Sequence, residues 1–264
     1  MAQVTVDQAD VRRLLAATRA VLFDFDGPVC RFFPESTQEV ARQIKQAARQ
    51  DWGTLDPGVE ACDDSHQVLR PLWRIYERLC GRETPERPSR RPLDRAEEII
   101  AEQESKAVAG AVPVPDIGEL VKQLRELRVR LVVVSNNARG PILTYLGRVG
   151  LASEFEAVFG RDPHDARLMK PNPHCVRRAL AHLSLPPAAC LMVGDQPTDL
   201  IAARAAGTPF LGWTQDEVRA KEMAREGADA VVSSYRPVTA AARKLLEERR
   251  SPDSVSLRGA STQT

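Results

Sequence analysis

The chain has 264 residues, room for one large domain or one domain carrying an insert. Its 37 Lys and Arg against 36 Asp and Glu leave a formal net charge of +1, which excludes a bulk basic field for nucleic acid and an acidic tail. At 43% hydrophobic and 28% charged the composition is that of an ordinary globular protein, neither collagenous nor wholly disordered.

Val11, Leu14, Leu15 and Thr18 recur at helical spacing behind Asp10, which is placed to cap that helix. The first twenty residues hold Asp7, Asp10, Arg12, Arg13 and Arg19 and no apolar signal core. Nowhere does an apolar run approach the roughly 18 residues of a membrane span. The cysteines, Cys30, Cys62, Cys80, Cys175 and Cys190, are odd in number and form no C-x-x-C pair, the pattern of reduced thiols. A soluble cytoplasmic protein is expected.

Ala20-Val-Leu-Phe-Asp24 reads as a buried strand running into an acidic loop. Beyond Leu120 the same rhythm repeats. Leu120, Val121, Leu124 and Leu127 mark a helix, and Arg130 to Val134 a continuous β-branched strand of the kind covered on both faces. Ile142, Leu143, Leu146 and Val149 predict a helix stopped by Gly150, followed by a strand at Glu156 to Gly160. Val176, Ala179, Leu180 and Leu183 predict a helix and Ala189 to Val193 a strand. Leu200 to Ala206 is a helix closed by Gly207, and Asp229 to Val232 the last strand. Strands alternating with single helices imply an α/β fold, a Rossmann-like open parallel sheet.

Residues 31–110 break that rhythm. Val40, Ile44, Ala47 and Ala48 share one helix face, and Val68, Leu69, Leu72, Ile75, Tyr76 and Leu79 another, with Pro71 read as a kink. Ile99 and Ile100 sit in a third, charged helix. The Pro/Arg stretch 81–92 lacks interleaved aromatics and reads as a solvated connector, not a nucleic-acid patch. The expected layout is a core of 1–30 and 111–250, an inserted all-helical cap at 31–110 and a disordered tail at 251–264.

In an open parallel sheet, ligands bind beyond the carboxyl ends of the strands. The residues that follow those ends are Asp24-Phe-Asp26-Gly27, then Ser135-Asn136-Asn137, then Gly194-Asp195 with Asp199 four further on. Lys170, ahead of the Val176 helix, can point to the same edge. Carboxylates gathered on one rim repel and call for a cation, and an oxygen-rich site suits Mg²⁺ with a substrate phosphate. Lys and Ser beside it offer a positive point charge and a neutral donor to phosphate oxygens.

Together, Asp24-Phe-Asp-Gly27, Ser135-Asn136, Lys170-Pro171 and Gly194-Asp195-Gln-Pro-Thr-Asp199 resemble the four ordered motifs of the haloacid dehalogenase-like hydrolases. The helical insert resembles the cap of the phosphoglycolate-phosphatase-like branch. That branch commonly reads D-x-D-G-T-L-x-D-S, whereas here Gly27 is followed by Pro28-Val-Cys-Arg31-Phe32. The resemblance implies Asp24 as the nucleophile that forms an aspartyl phosphate and Asp26 as the proton donor and later base. Ser135, Asn136 and Gly27 would bind the phosphoryl group, and Lys170 would neutralise it. Asp24, Asp26 (through its carbonyl) and Asp195 would hold Mg²⁺, with Asp199 orienting Lys170 or a metal-bound water.

The activity implied is Mg²⁺-dependent hydrolysis of a small phosphorylated metabolite by a monomer or homodimer. A phosphomutase of the β-phosphoglucomutase type and a catalytically silent member that binds a phospho-ligand or a protein are the alternatives. Ser135 and Asp199 can equally cap the helices that follow them. His66, His164, His174 and His182 show no metal-ligand spacing and read as structural or surface, and Cys30 as a packed thiol. Phe32 and Phe33 are expected at the core–cap hinge, and Arg31 and Arg42 are candidates for a second anionic group of the substrate.

Overall fold

The computed structural model describes residues 8–33, 36–81 and 87–250. The tail expected to be disordered and residues 82–86 of the Pro/Arg connector lie outside the described residues. In chain order, helix α1 (Gln8–Ala17) leads into strand β1 (Ala20–Phe23) and the two-residue β2 (Cys30–Arg31). Helices α2 (Gln38–Trp52), α3 (Pro57–Glu60), α4 (Leu69–Cys80) and α5 (Arg91–Gly110) follow, then β3 (Val112–Pro113). The remainder alternates: α6 (Ile117–Glu126), β4 (Arg130–Val134), α7 (Arg139–Arg148), β5 (Ala157–Phe159), α8 (His174–Leu183), β6 (Cys190–Gly194), α9 (Pro197–Ala206), β7 (Phe210–Trp213), α10 (Glu217–Arg225), β8 (Ala230–Val232) and α11 (Arg236–Arg250).

The sheet runs β5-β4-β1-β6-β7-β8 with every neighbouring pair parallel. Period-2 alternation along the strands sends Val21, Phe23, Leu131, Val133, Leu191 and Val193 into one apolar layer with Leu120, Leu124, Leu146 and Leu245. Leu22, Val132, Val134 and Met192 face the other way, against Val176, Ala179, Leu200 and Ala203. Both faces being covered is why each central strand is apolar throughout. From β1 the chain builds outward through β4 and β5 on one side and through β6, β7 and β8 on the other. That reversal puts the loops after β1, β4 and β6 around one crevice.

Helices α2 to α5 form a separate apolar cluster around Ile44, Leu72, Trp73, Ala96 and Ile100. The two chain crossings into and out of these helices pair as an antiparallel ribbon, Cys30 with Pro113 and Arg31 with Val112. Among the described residues no helix is long and apolar enough to cross a membrane.

Three local expectations need correction. Asp10 is not a cap but lies in the first turn of α1, bonded to Arg13. Pro71 does not kink α4. It occupies the first turn, where a missing N–H costs nothing. Pro92 belongs to the first turn of α5, not to the connector. Helices α10 and α11 were not foreseen: α10 buries only Ala220 and Met223, whereas Val238, Ala241, Ala242, Leu245 and Leu246 of α11 do recur at helical spacing.

Candidate active site

Asp24 continues the β1 ladder by one residue, its N–H donating to the Val193 carbonyl at 2.8 Å. Its carboxylate thereby sits at the switch point, 7% exposed. Two residues on, Asp26 accepts the Phe32 N–H at 2.9 Å, and burial raises its pKa against that hydrogen bond. Gly27, at φ +106°, lets the chain turn under Asp195: a Cβ there would lie 2.5 Å from the Asp195 Cγ. Its own N–H donates to the Cys30 carbonyl and is not free for a phosphate.

At the start of α9, Asp199 acts both as a cap and as a site residue. Its Oδ2 accepts the backbone N–H of Asp195 and of Gln196 at 3.1 and 3.0 Å, closing a capping box with Gln196. Its Oδ1 takes the Lys170 ammonium at 2.6 Å. Lys170 Nζ also donates to Asp24 Oδ1 at 2.8 Å and to the Val134 carbonyl at 3.1 Å, so three acceptors surround it. Burial pulls its pKa down, but Asp199 and Asp24 outweigh that and hold it charged.

The loop after β4 holds this lysine by its backbone. Asn136 Oδ1 accepts the Lys170 N–H at 2.8 Å and its Nδ2 donates to the Lys170 carbonyl at 3.2 Å. Ser135 is buried and closes on its own loop, donating to Asn137 Oδ1 at 3.0 Å and accepting the Asn137 N–H at 3.1 Å. It is not part of the cavity wall, whereas Asn136 and Asn137 are.

Carboxylate oxygens of Asp24, Asp195 and Asp199 lie within 4.8 Å of one another. One lysine does not balance them: burial, against Lys170, pushes Asp24 up to about 7, and burial with Asp199 and Asp24 pushes Asp195 up to about 8. Asp195 Oδ2 is met by Gln196 at 2.6 Å and Arg219 at 3.5 Å, but Oδ1 is buried without a partner among the described residues. Hard carboxylate oxygens, excess negative charge and an orphaned acceptor fit a divalent cation. Asp24 and Asp195 have oxygens to give it; those of Asp199 are already engaged.

Above these groups lies a cavity of about 910 Å³ between the sheet edge, the start of α4 and the loops that lead into α2 and α4. Phe33 is on its wall, with Phe32 fully buried beside it. Arg31 and Arg42 do not reach it: Arg31 bonds Gln215 and Arg42 is paired with Glu39, both exposed. The arginines that line it are Arg70 of α4 and Arg219 of α10, and neither was foreseen. Arg70 is half-buried, with no hydrogen bond or ion pair among the described residues. His66, read from sequence as structural or surface, also lines the cavity and bonds Glu104 at 2.8 Å. Cys30 is the packed thiol expected.

Comparison with known proteins adds three findings. The haloacid dehalogenase-like hydrolase family model matches residues 18–207. A phosphoglycolate phosphatase of Rhodospirillum rubrum is 28% identical over 220 residues, 82% of this chain and 88% of that one, and another from Salmonella typhimurium is 27% identical over 176 residues, 62% and 67% of the two chains. Among solved structures, CbbY of Rhodobacter sphaeroides in complex with phosphate superposes with a TM-score of 0.56 at 21% identity, covering 83% of this chain and 95% of that one. A predicted phosphatase of Clostridium acetobutylicum gives 0.59 at 19%, covering 87% and 99%. The two structures speak to the fold.

Proposed function

Because the chain belongs to the haloacid dehalogenase-like hydrolases, we propose that it is a phosphoric monoester hydrolase that works through a phosphorylated Asp24 and requires Mg²⁺. The observation that carries this reading is the contact of one buried ammonium, Lys170, with both Asp24 and Asp199, beside an Asp195 oxygen that has no partner among the described residues.

Asp24 attacks phosphorus with a carboxylate oxygen, and the ester oxygen leaves with a proton from Asp26. Asp26, now a carboxylate, takes a proton from the water that attacks the acyl phosphate, releasing phosphate and restoring Asp24. Lys170, fixed by Asp199 and by the Asn136 clamp, faces Asp24 with a permanent charge that offsets the phosphoryl oxygens. Mg²⁺ held by Asp24 and Asp195 would offset the remaining negative charge of that group.

The substrate is a small phosphorylated acid of the phosphoglycolate kind. Arg70, a guanidinium partly withdrawn from water and unpaired among the described residues, is suited to take its second anionic group. Phosphate release is expected from such substrates with Mg²⁺, to be abolished by chelator, and to fall at least 1,000-fold in Asp24→Asn. Release that persists in Asp24→Asn removes the covalent mechanism. Arg70→Met is expected to raise KM at least tenfold for phosphoglycolate and to leave KM for an aryl phosphate within twofold. Equal effects on both substrates remove Arg70 from specificity.

A further inference from the structure

We propose that residues 161–169 form a strap through which the helices α4 and α5 set the position of Lys170, with Arg161 as the positioning residue that anchors it. The proposal rests on the catalytic reading of Lys170 given above.

Arg161 follows β5, on the sheet side, yet its fully buried guanidinium is spent on α5. Its Nε and Nη2 donate to Glu97 at 2.9 and 2.7 Å, and its Nη1 to Glu104 at 2.7 Å. Glu97 and Glu104 are seven residues apart, two turns along one face of the helix. The same Nη1 reaches the Asn136 carbonyl at 2.8 Å, and Asn136 is the residue whose side chain clamps the Lys170 backbone. This guanidinium, together with Glu104 itself, which accepts the Ala138 N–H at 3.1 Å and the Asn137 Nδ2 at 3.4 Å, ties α5 to the loop that seats the lysine.

The rest of the segment is held in the same direction. Arg90, just ahead of α5, donates to the His164 carbonyl at 2.8 Å. Arg167 pairs with Glu77 of α4, and Arg90 and Arg167 both rest on the Trp73 ring, 5.0 and 4.8 Å from its centroid. Ala166 and Met169 are buried members of the apolar cluster of α2 to α5, not of the clusters on the sheet. Met169 is the residue before Lys170. From Arg161 to Met169 the outward contacts of this segment thus run chiefly to α4 and α5.

Pulling α5 away from Arg161 would strand buried charges on both sides, which is strongly unfavourable. The strap is consequently held to the helices, while Lys170 is held at the sheet edge by Asp24, Asp199, Val134 and Asn136, so the helices act on the lysine through its backbone. Displacement of a charged group by about 1 Å from its working geometry can cost about 100-fold in rate. Lys170 is in place between Asp24 and Asp199 only when the helices are seated as they are here.

The test is a double-mutant cycle with an aryl phosphate, run well below the melting temperature of each variant. Arg161→Gln is expected to lower kcat at least tenfold with KM within twofold, and to have no further effect in a Lys170→Gln background. As Arg161→Gln takes the guanidinium partner from Glu97 and Glu104, the charge-neutral triple variant Arg161→Met, Glu97→Gln, Glu104→Gln is measured beside it and is expected to behave alike. Amine labelling with acetic anhydride, read by mass spectrometry, gives a readout independent of turnover. Lys170 is expected to be protected in the native chain and labelled in both variants. Lys45, buried on α2 with its ammonium on the Glu60 and Cys62 carbonyls, stays protected throughout and reports that the helices remain folded. Unchanged kcat, effects that multiply in the Lys170→Gln background, or a Lys170 still protected in the folded variants each overturn the strap. An unchanged kcat in Lys170→Gln alone is a different result: it overturns the catalytic reading of that lysine and the strap with it.

Discussion

At the scale of single residues, Asp195 packs directly against Gly27, with no room for a side chain between them. With φ at +106° and 2.5 Å between a hypothetical Cβ and the Asp195 Cγ, any side chain at position 27 is strained twice over. In Gly27→Ala either the turn or the carboxylate must give, and the carboxylate is the softer of the two. The Mg²⁺ concentration for half-maximal phosphate release is expected to rise at least tenfold, with the far-UV circular dichroism unchanged; an activity titration against Mg²⁺ decides it. That Asp24, Asp26, Lys170, Asp195 and Asp199 gather at one edge was legible in sequence, because Asp24, Asp26 and Asp195 follow strand ends while Lys170 stands ahead of a helix and Asp199 in the first turn of one. His66, Arg70 and Arg219 were not. They stand on or beside helices, and helical periodicity tells which residues are buried but not which exposed ones face a cavity.

Among the elements, α5 contributes the group with the clearest pH signature. Burial alone would raise the pKa of Glu104, but the His66 hydrogen bond and the Arg161 charge outweigh it and hold it at about 2, against 4.5 in an open chain. A carboxylate depressed in the folded state stabilises fully above about pH 4.5 and loses that contribution as pH falls through about 2, on the order of 3 kcal/mol in all. Glu104→Gln removes the titrating group. The stability gap between the native chain and Glu104→Gln, from urea midpoints, is therefore expected to narrow by about 2 kcal/mol between pH 7 and pH 3. A gap that stays constant would mean that Glu104 is not held ionised. This ion pair could not be read from sequence, since Arg161 and Glu104 lie 57 residues apart and each looks like a surface charge. The central strands could, because burial on both faces demands unbroken apolar runs. The ribbon of β2 and β3 could not, as two residues carry no period and one of them is Pro113.

For the whole molecule, the question is whether helices α2 to α5 and the sheet unfold as one. Their apolar cluster is completed by Ala166 and Met169, which the sheet region supplies, so the helices alone would expose the surface these two cover. The charge contacts of Arg161 and Arg167 lie across the same boundary. These links favour a single cooperative transition over two separate ones. The tryptophans report on each side: Trp52 and Trp73 belong with the helical cluster, Trp213 with the sheet. Variants keeping only Trp73 or only Trp213 are expected to give coincident urea midpoints by fluorescence. Met169→Ala opens a cavity in the shared cluster, at a cost of about 2–5 kcal/mol, and is expected to lower both midpoints together. If Trp73 reports an earlier transition than Trp213 in the native chain, the helices are an independent unit, and the contacts of residues 161–169 are too weak to carry their position to Lys170.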